Sequence, residues 1–299
     1  MLDAIGSTPV VRLDRLTGGL EGTLLAKLEY LNPGGSKKDR VARQIVLEAE
    51  QAGRLQPGQP VVEMTSGNTG AGLAMACAVT GHPFIAVLSK GSSAERARMI
   101  TALGGEVVLV DQAPGAVPGS VSGADMALVS ERTTQIVEST GALRSDQFEN
   151  SGNADAHYLG TGQELWAQTG GFDAFVDFVG TGGCLAGVTR ALKERDPRIR
   201  CYAVEPDSLN HPIQGGGFGR DLTHLRGVEL DGTLTVSGDE ARAMSRSLAR
   251  KEGIFAGFSA GANVAAALRL LHTNPGITIA LVIPDTGLKY LSTDLWEQA

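Results

Sequence analysis

Mainly apolar runs of four to six residues recur along the chain, separated by longer stretches in which apolar positions return at helical spacing. The runs predict strands over 24–28, 60–64, 84–88, 107–110, 175–179, 201–204 and 278–283. The spaced stretches predict helices over 40–52, 69–80, 94–103, 126–139, 159–168, 185–194, 239–251 and 262–271. Strands that are apolar on both faces must be covered on both. The pattern therefore predicts an α/β fold of parallel sheets flanked by helices, with reactive groups at the C-terminal ends of strands. The Gly- and Pro-rich stretch over 112–123 leads into a helix and reads as a surface loop, and no internal repeat or long charge block divides the chain.

Composition narrows the class. At 299 residues and 42% hydrophobic content the chain can bury a full core in one large domain or two lobes. Its 40 glycines stand against only 5% aromatics, and because they cluster between apolar segments they mark βα turns and not a low-complexity tract. A net charge of -7 and a pI near 5.3 disfavour a nucleic-acid surface. The longest apolar runs, such as 279–283, are too short to span a bilayer, so no membrane association is expected. Met1 is not followed by a basic and then apolar leader, and Cys77, Cys184 and Cys201 show no paired spacing. A cytoplasmic protein without a disulfide framework is expected. His82, His157, His211, His224 and His272 have no ligand spacing, and no metal site is expected.

Candidate chemistry begins at Asn32-Pro33-Gly34-Gly35-Ser36-Lys37-Lys38-Asp39-Arg40, which sets three cations in the first turn of a predicted helix, where the backbone dipole favours anions. Unsatisfied N–H groups and a positive end can depress a lysine's pKa, and a neutral lysine amine can hold an aldehyde cofactor as a Schiff base.

Three further clusters sit at strand-to-helix junctions. Thr65-Ser66-Gly67-Asn68-Thr69-Gly70 follows a strand and opens an Ala-rich helix. Its hydroxyls, small residues and free amides suit a carboxylate or phosphate, whereas an ordinary N-cap needs only one of them. Gly180-Thr181-Gly182-Gly183-Cys184 is again an arrangement that cradles phosphate oxygens. Leu at position 185 breaks the dinucleotide glycine spacing, and no Walker lysine follows. Gly257-Phe258-Ser259-Ala260-Gly261 matches a nucleophile elbow as well as a helix cap. A hydrolase triad needs an acid and then a histidine after the serine, and only His272 follows, better read as a helix C-terminal residue favoured by the dipole.

Together these clusters resemble the fold-type II pyridoxal-phosphate enzymes, specifically the cysteine synthase and cystathionine β-synthase family, a two-lobed architecture like the β chain of tryptophan synthase. The likeness covers nearly the whole chain: Ile5-Gly6-Ser7-Thr8-Pro9, the lysine cluster, Thr65 to Gly70, Glu95-Arg96 with Ala102-Leu103-Gly104, Gln147-Phe148-Glu149-Asn150, Gly180 to Gly183, Val204-Glu205-Pro206, Gly257 to Gly261 and Pro284-Asp285, in that order. It implies pyridoxal phosphate as cofactor, bonded to Lys38, the lysine directly before Asp39-Arg40, while Lys37 takes a place that is usually apolar. It also implies that Asn68 hydrogen-bonds the cofactor's phenolic oxygen, that Gly180, Thr181, Gly182, Gly183 and Cys184 form the phosphate cup, and that Ser259 faces the pyridine nitrogen. Cys184 stands where the family usually has threonine, so weaker phosphate holding is expected. Thr65, Ser66, Gly67 and Thr69 would take the substrate carboxylate, joined by Gln147 on closure. A smaller substrate-binding lobe over 39–144, a larger cofactor-binding lobe made of 1–38 with 145–299, and a homodimer complete the implied architecture.

A neutral hydroxyl opposite the pyridine nitrogen makes the ring a milder electron sink than a carboxylate would, which favours β-elimination and β-replacement over transamination. The resemblance thus implies an enzyme of cysteine biosynthesis, a transferase or lyase in which Lys38 acts as base on Cα, an aminoacrylate forms, and sulfide or a thiol attacks it. O-acetylserine and sulfide, giving L-cysteine and acetate, are the expected pair. The approach Asn32-Pro33-Gly34-Gly35-Ser36 is nearer to cystathionine β-synthases and diaminopropionate synthases, whereas Gln147 in Asp-Gln-Phe and the run His211-Pro212-Ile213-Gln214-Gly215 resemble cysteine synthases. Those other replacements, and elimination from cysteine or serine, stand as alternatives. Phosphoserine would ask for a cation near the leaving phosphate, with Arg96, Arg98 and Arg220 as candidates and solvated charge as their plainer reading. Gly215-Gly216-Gly217-Phe218-Gly219 reads as a flexible turn or as a mobile loop at the site's mouth. The chain starts at the catalytic core and ends without an extension, so neither haem nor a regulatory domain is expected. A non-catalytic paralogue that binds the cofactor or a partner is the rival from another class. Lys37 and Cys184 keep it open, and Lys38, Asn68, Gln147 and Ser259 oppose it.

Overall fold

The computed structural model describes residues 1–65, 67–115, 121–208, 211–217 and 221–297. Ser66, Arg220, Phe218 and Gly219, all singled out above, lie outside them, as do Pro118 and Gly119 of the 112–123 loop. In chain order the elements are β1 (Val10–Arg12), β2 (Thr23–Leu28), α1 (Lys38–Gln51), β3 (Val61–Met64), α2 (Asn68–Thr80), β4 (Phe84–Ser89), α3 (Ala94–Ala102), β5 (Glu106–Val110), α4 (Gly123–Thr140) and β6 (Leu143–Arg144). There follow α5 (Gly152–Ala156), a π-helical segment (His157–Gly162), α6 (Gln163–Thr169), β7 (Ala174–Phe178), α7 (Gly183–Arg195), β8 (Arg200–Pro206), β9 (Gly232–Val236), α8 (Gly238–Glu252), α9 (Phe258–Thr273) and β10 (Thr278–Ile283).

The strands form two sheets, one in the order β1-β2-β10-β7-β8-β9 and the other β5-β4-β3-β6. Every pairing is parallel except that of β1 with β2. The apolar runs explain the layering. Alternate residues of one strand enter different cores: Ala174, Val176 and Phe178 of β7 join Ile279, Leu281 and Ile283 of β10 on one face, while Phe175 joins Ala280 and Val282 on the other. The smaller sheet divides likewise, with Val61, Ala86 and Leu88 on one face and Val62, Met64 and Val87 on the other.

The strands that the apolar pattern misses, β1, β6 and β9, all lie at sheet edges and are only partly buried. An edge strand is covered and hydrogen-bonded on fewer sides, so its composition carries little hydrophobic signal. The predicted helix over 159–168 is the last part of a longer helical segment running through α5, the π turn and α6. Gly187 lets α7 approach it, because a Cβ there would fall 2.1 Å from the carbonyl oxygen of Ala154.

Two connections position the chemistry. The residues before α1 bridge to the end of β10, where Ser36 pairs with Asp285 and the Lys37 N–H donates to Pro284 O at 2.8 Å. Arg40, buried in the first turn of α1, donates to Glu29 at 2.7 and 2.8 Å and to Glu164 at 2.6 and 2.7 Å, which ties α1 to the turn after β2 and to α6.

Candidate active site

Four helices begin at one cavity, α1, α2, α7 and α9, each starting after a strand exit or a tight loop, and the end of β10 closes its side. Lys38, Asn68, Thr69, Gln147, Thr181 and Ser259 are among its lining residues. Converging helix N-termini point partial positive charge and free N–H groups at the space between them, a setting that favours anionic ligands. The apolar period alone starts α1 and α9 at Arg40 and Ala262, later than the structure does, whereas the lysine cluster already reads as the first turn of a helix. The structure instead starts α1 at Lys38 and places Ser259 in the first turn of α9.

The two lysines have different environments. Lys37 is clamped by both oxygens of Asp177, at 2.9 and 2.7 Å. Burial works against its charge, but the Asp177 carboxylate outweighs burial and raises Lys37 above the usual lysine range. Lys38 points its amine at Thr181 Oγ1, 3.2 Å away. Burial, aided by the neighbouring Lys37 ammonium, lowers Lys38 to about 8. A lysine in that range offers free amine near neutral pH, and a lysine in an ion pair does not.

The loop before α2 is held from within. Thr65 Oγ1 accepts from the N–H groups of Gly67 and Gly70 at 2.9 and 3.0 Å, so this hydroxyl shapes the loop. Gly67 sits at φ 130, and a Cβ there would collide with the Arg96 side chain. Thr69 lines the cavity, and its hydroxyl donates to Gln147 Oε1 at 2.5 Å. Gln147 ties β3 of the smaller sheet to α5 and to the turn at His224. Its side chain donates to Met64 O and its N–H to Glu63, while its carbonyl accepts from Asn153 at 2.6 Å and pairs with His224 at 2.9 Å.

On the opposite wall, Gly180 to Cys184 run from the end of β7 into α7. The glycines are required by contact: a Cβ on Gly180 would lie 2.5 Å from Gly215 O, and one on Gly183 would lie 2.2 Å from Asn153 Oδ1. Gly182 has φ +87, which favours glycine directly. Gly215 lines the cavity, and the Gly217 N–H donates to Val179 O at 3.1 Å, so the described part of the Gly215 to Gly219 stretch packs onto this wall. Cys184 is buried, and burial together with Asp177 pushes its thiol well above its ordinary pKa, which makes it an inert neutral group.

Asn68 is locked from both sides: its amide donates to Asp285 at 2.7 Å and its carbonyl accepts from Lys289 at 2.9 Å. Tyr290 also donates to Asp285, and the Arg96 guanidinium lies 5.2 Å from the Tyr290 ring centroid. Arg98 is exposed. The hydrolase reading of Ser259 fails on distance, because His272 lies at the far end of the same helix, about 20 Å along its axis.

Sequence reasoning does not single out Asp177, Glu63, Lys289 or Asn153. Asp177 sits inside a strand whose other residues are apolar, and an acidic residue at a fully buried strand position is the signal that could have found it. Glu63 offers the same signal in β3. Burial pushes Glu63 to about 7 despite donation from Ser145 and the Gln147 N–H. Among the described residues no metal-holding cluster occurs, and no helix is long and apolar enough to cross a membrane.

Residues 1–285 match the family described as pyridoxal-phosphate dependent enzyme. A cysteine synthase of Staphylococcus aureus is 39% identical over 304 residues, covering 98% of this chain and 95% of that protein. The crystal structure of an O-ureido-L-serine synthase matches with a TM-score of 0.87 at 39% identity, over 99% of this chain and 94% of its own. That of O-acetyl serine sulfhydrylase isoform 3 from Entamoeba histolytica matches with a TM-score of 0.89 at 34% identity, over 100% and 91%.

Proposed function

Because this chain belongs to the pyridoxal-phosphate dependent enzyme family, we propose that it performs β-replacement on an activated serine, exchanging the acetate of O-acetylserine for sulfide to give L-cysteine. The observation that carries this reading is that the Lys38 amine, 3.2 Å from Thr181 Oγ1, shares one cavity with Asn68 and Thr69 at the start of α2 and with Gly180, Thr181 and Gly182. The relatives named cysteine synthase and O-acetyl serine sulfhydrylase support the substrate pair.

The residues fit the cofactor on two independent grounds. Gly180, Thr181, Gly182 and Cys184 line the cavity at the N-terminus of α7, whose first N–H groups have no partner within the helix, a setting that suits a phosphate. The Lys38 amine, lowered to about 8, suits an aldehyde. When bound, pyridoxal phosphate supplies that aldehyde and a ring that accepts electron density from the substrate's Cα.

The protein's own residues supply the rest. With the cofactor bound, the Lys38 amine would be placed to take the substrate's Cα proton. Asn68, immobilised by Asp285 and Lys289, would hold the cofactor ring, and Ser259 would give that ring a neutral partner and keep it a mild electron sink. Thr69, Gln147 and the loop over 65–70 bind the substrate carboxylate. Met64, Met126 and Phe148 line the apolar side of the cavity and limit water there. Gln147 links Thr69 and β3 to Asn153 of α5, so carboxylate binding at Thr69 would draw the lobe over 39–144 toward the remainder through that link. A cytoplasmic homodimer belongs to this reading on family likeness alone.

The test is the visible absorption of the cofactor-loaded protein on adding O-acetylserine, phosphoserine, serine or cysteine. O-acetylserine should shift the band, and sulfide should restore it with release of one L-cysteine per acetate. A response to a different donor alone replaces the substrate. A coloured but unresponsive protein points to a binding paralogue, and failure to take up the cofactor ends the enzyme reading.

A further inference from the structure

The adjacent lysines at the start of α1 divide their partners unequally. Asp177 is 1% exposed and gives both oxygens to Lys37. It is fastened in turn by Asn263, one turn beyond Ser259 on α9, whose amide lies 3.4 Å from it. Lys38 meets a hydroxyl, Thr181 Oγ1, and no carboxylate within ion-pair distance among the described residues. The other titratable groups facing it are Glu63, Cys184, His157 and His224. Glu63 is committed to Ser145 and the Gln147 N–H, and Cys184 is a neutral thiol. Burial lowers both histidines, so neither brings a charge at neutral pH.

We propose that the Lys37–Asp177 pair is a tuning device of the cofactor site: Asp177 pins the Lys37 ammonium as a resident cation beside Lys38, and that cation keeps Lys38 available as a free amine. The inference rests on Lys38 being the cofactor-bearing lysine. Two ammonium groups crowded into a buried space with one carboxylate cannot both keep their protons cheaply. The lysine that owns the carboxylate stays charged, and its neighbour yields. The direction at Lys38 agrees, with Lys37 the largest contributor after burial. Lys37 acts through Lys38 and is therefore a positioning residue.

The test uses the full-length chain stripped of cofactor, as wild type and as the variants Lys37→Met, Lys37→Arg, Lys37→Met/Asp177→Asn and Lys38→Ala. Each is mixed briefly with pyridoxal phosphate across the neutral to alkaline range and reduced with borohydride, and mass spectrometry reads the adduct at residues 37 and 38. Lys37→Met should move the midpoint of adduct formation upward by about one pH unit, about a tenfold loss of capture at neutral pH, and the double variant should move it the same way by less, since it also removes the Asp177 carboxylate that favours charge on Lys38, while Lys37→Arg keeps it. If Lys37→Met does not fold, the double variant decides, since it leaves neither partner of the pair buried with an unpaired charge. An unchanged midpoint overturns the tuning role and leaves the Lys38 reading intact. An adduct on residue 37 of the wild type, or one that persists in Lys38→Ala, overturns the Lys38 reading itself.

Discussion

Lys289 donates to the side-chain carbonyl of Asn68 at 2.9 Å, joining a turn near the C-terminus to the first residue of α2. The same ammonium donates to Gly34 O at 2.9 Å, in the loop that delivers Lys38. Lys289→Met leaves both acceptors without this donor and is expected to cost about 2 kcal/mol in urea unfolding. Burial lowers Lys289 from 10.5 to about 8 against the pull of Asp285 and Asp39. Between those values the folded chain binds fewer protons than the unfolded one, so this group's contribution to stability rises with pH across that window. The deficit of Lys289→Met should therefore widen as pH rises from 8, and a deficit that stays constant refutes the assignment.

Gly183→Ala inserts a methyl 2.2 Å from Asn153 Oδ1. Asn153 cannot step aside cheaply, because its amide holds Gln147 O at 2.6 Å and Thr181 Oγ1 at 2.8 Å. The cofactor dissociation constant, read by equilibrium dialysis, should rise about tenfold or more, the equivalent of about 1.4 kcal/mol.

Thr69→Val removes the hydroxyl that donates to Gln147. The KM for the amino-acid donor should rise about tenfold, while cofactor uptake stays as in the wild type. A parallel loss of cofactor would assign Thr69 to the wrong ligand.

Burial raises Glu63 from 4.5 to about 7. The folded chain then retains a proton that the unfolded chain loses between those values, so stability from this group is complete below the lower value and declines as pH climbs through the upper one. Glu63→Gln is free of that decline. Urea titrations should show it gaining on the wild type with rising pH, by about 3 kcal/mol above pH of about 7 and by nothing below about 4.

Arg40 is 2% exposed and Glu29 is fully buried. Arg40→Met strands the Glu29 carboxylate and part of Glu164, and should cost about 3–5 kcal/mol in urea unfolding. The loss should extend to cofactor uptake, since Lys38 lies two residues upstream on the same turn.

The legible part of the fold was its centre. β7 and β10 are buried on both faces and announce themselves as apolar runs, whereas β1, β6 and β9 have one open edge and a mixed composition. The starts of α1 and α9 were displaced for a related reason: Lys38, the first residue of α1, and Ser259, in the first turn of α9, line the cavity, and an apolar period does not register polar residues there. Thr65 illustrates a different limit. Its hydroxyl type suggested a ligand contact, but the chain's own Gly67 and Gly70 amides lie close enough to use it.

By itself the sequence determined the α/β alternation and the four turn clusters, because both depend on near neighbours: strand and helix periods, small residues at tight turns, and amides left free at helix starts. The tertiary structure decided which of two adjacent lysines carries a permanent charge. That choice depends on Asp177, 140 residues away, reaching Lys37 and not Lys38. The reason is physical: a buried charge is governed by what lies within a few ångströms in space, and separation along the chain carries no information about that distance.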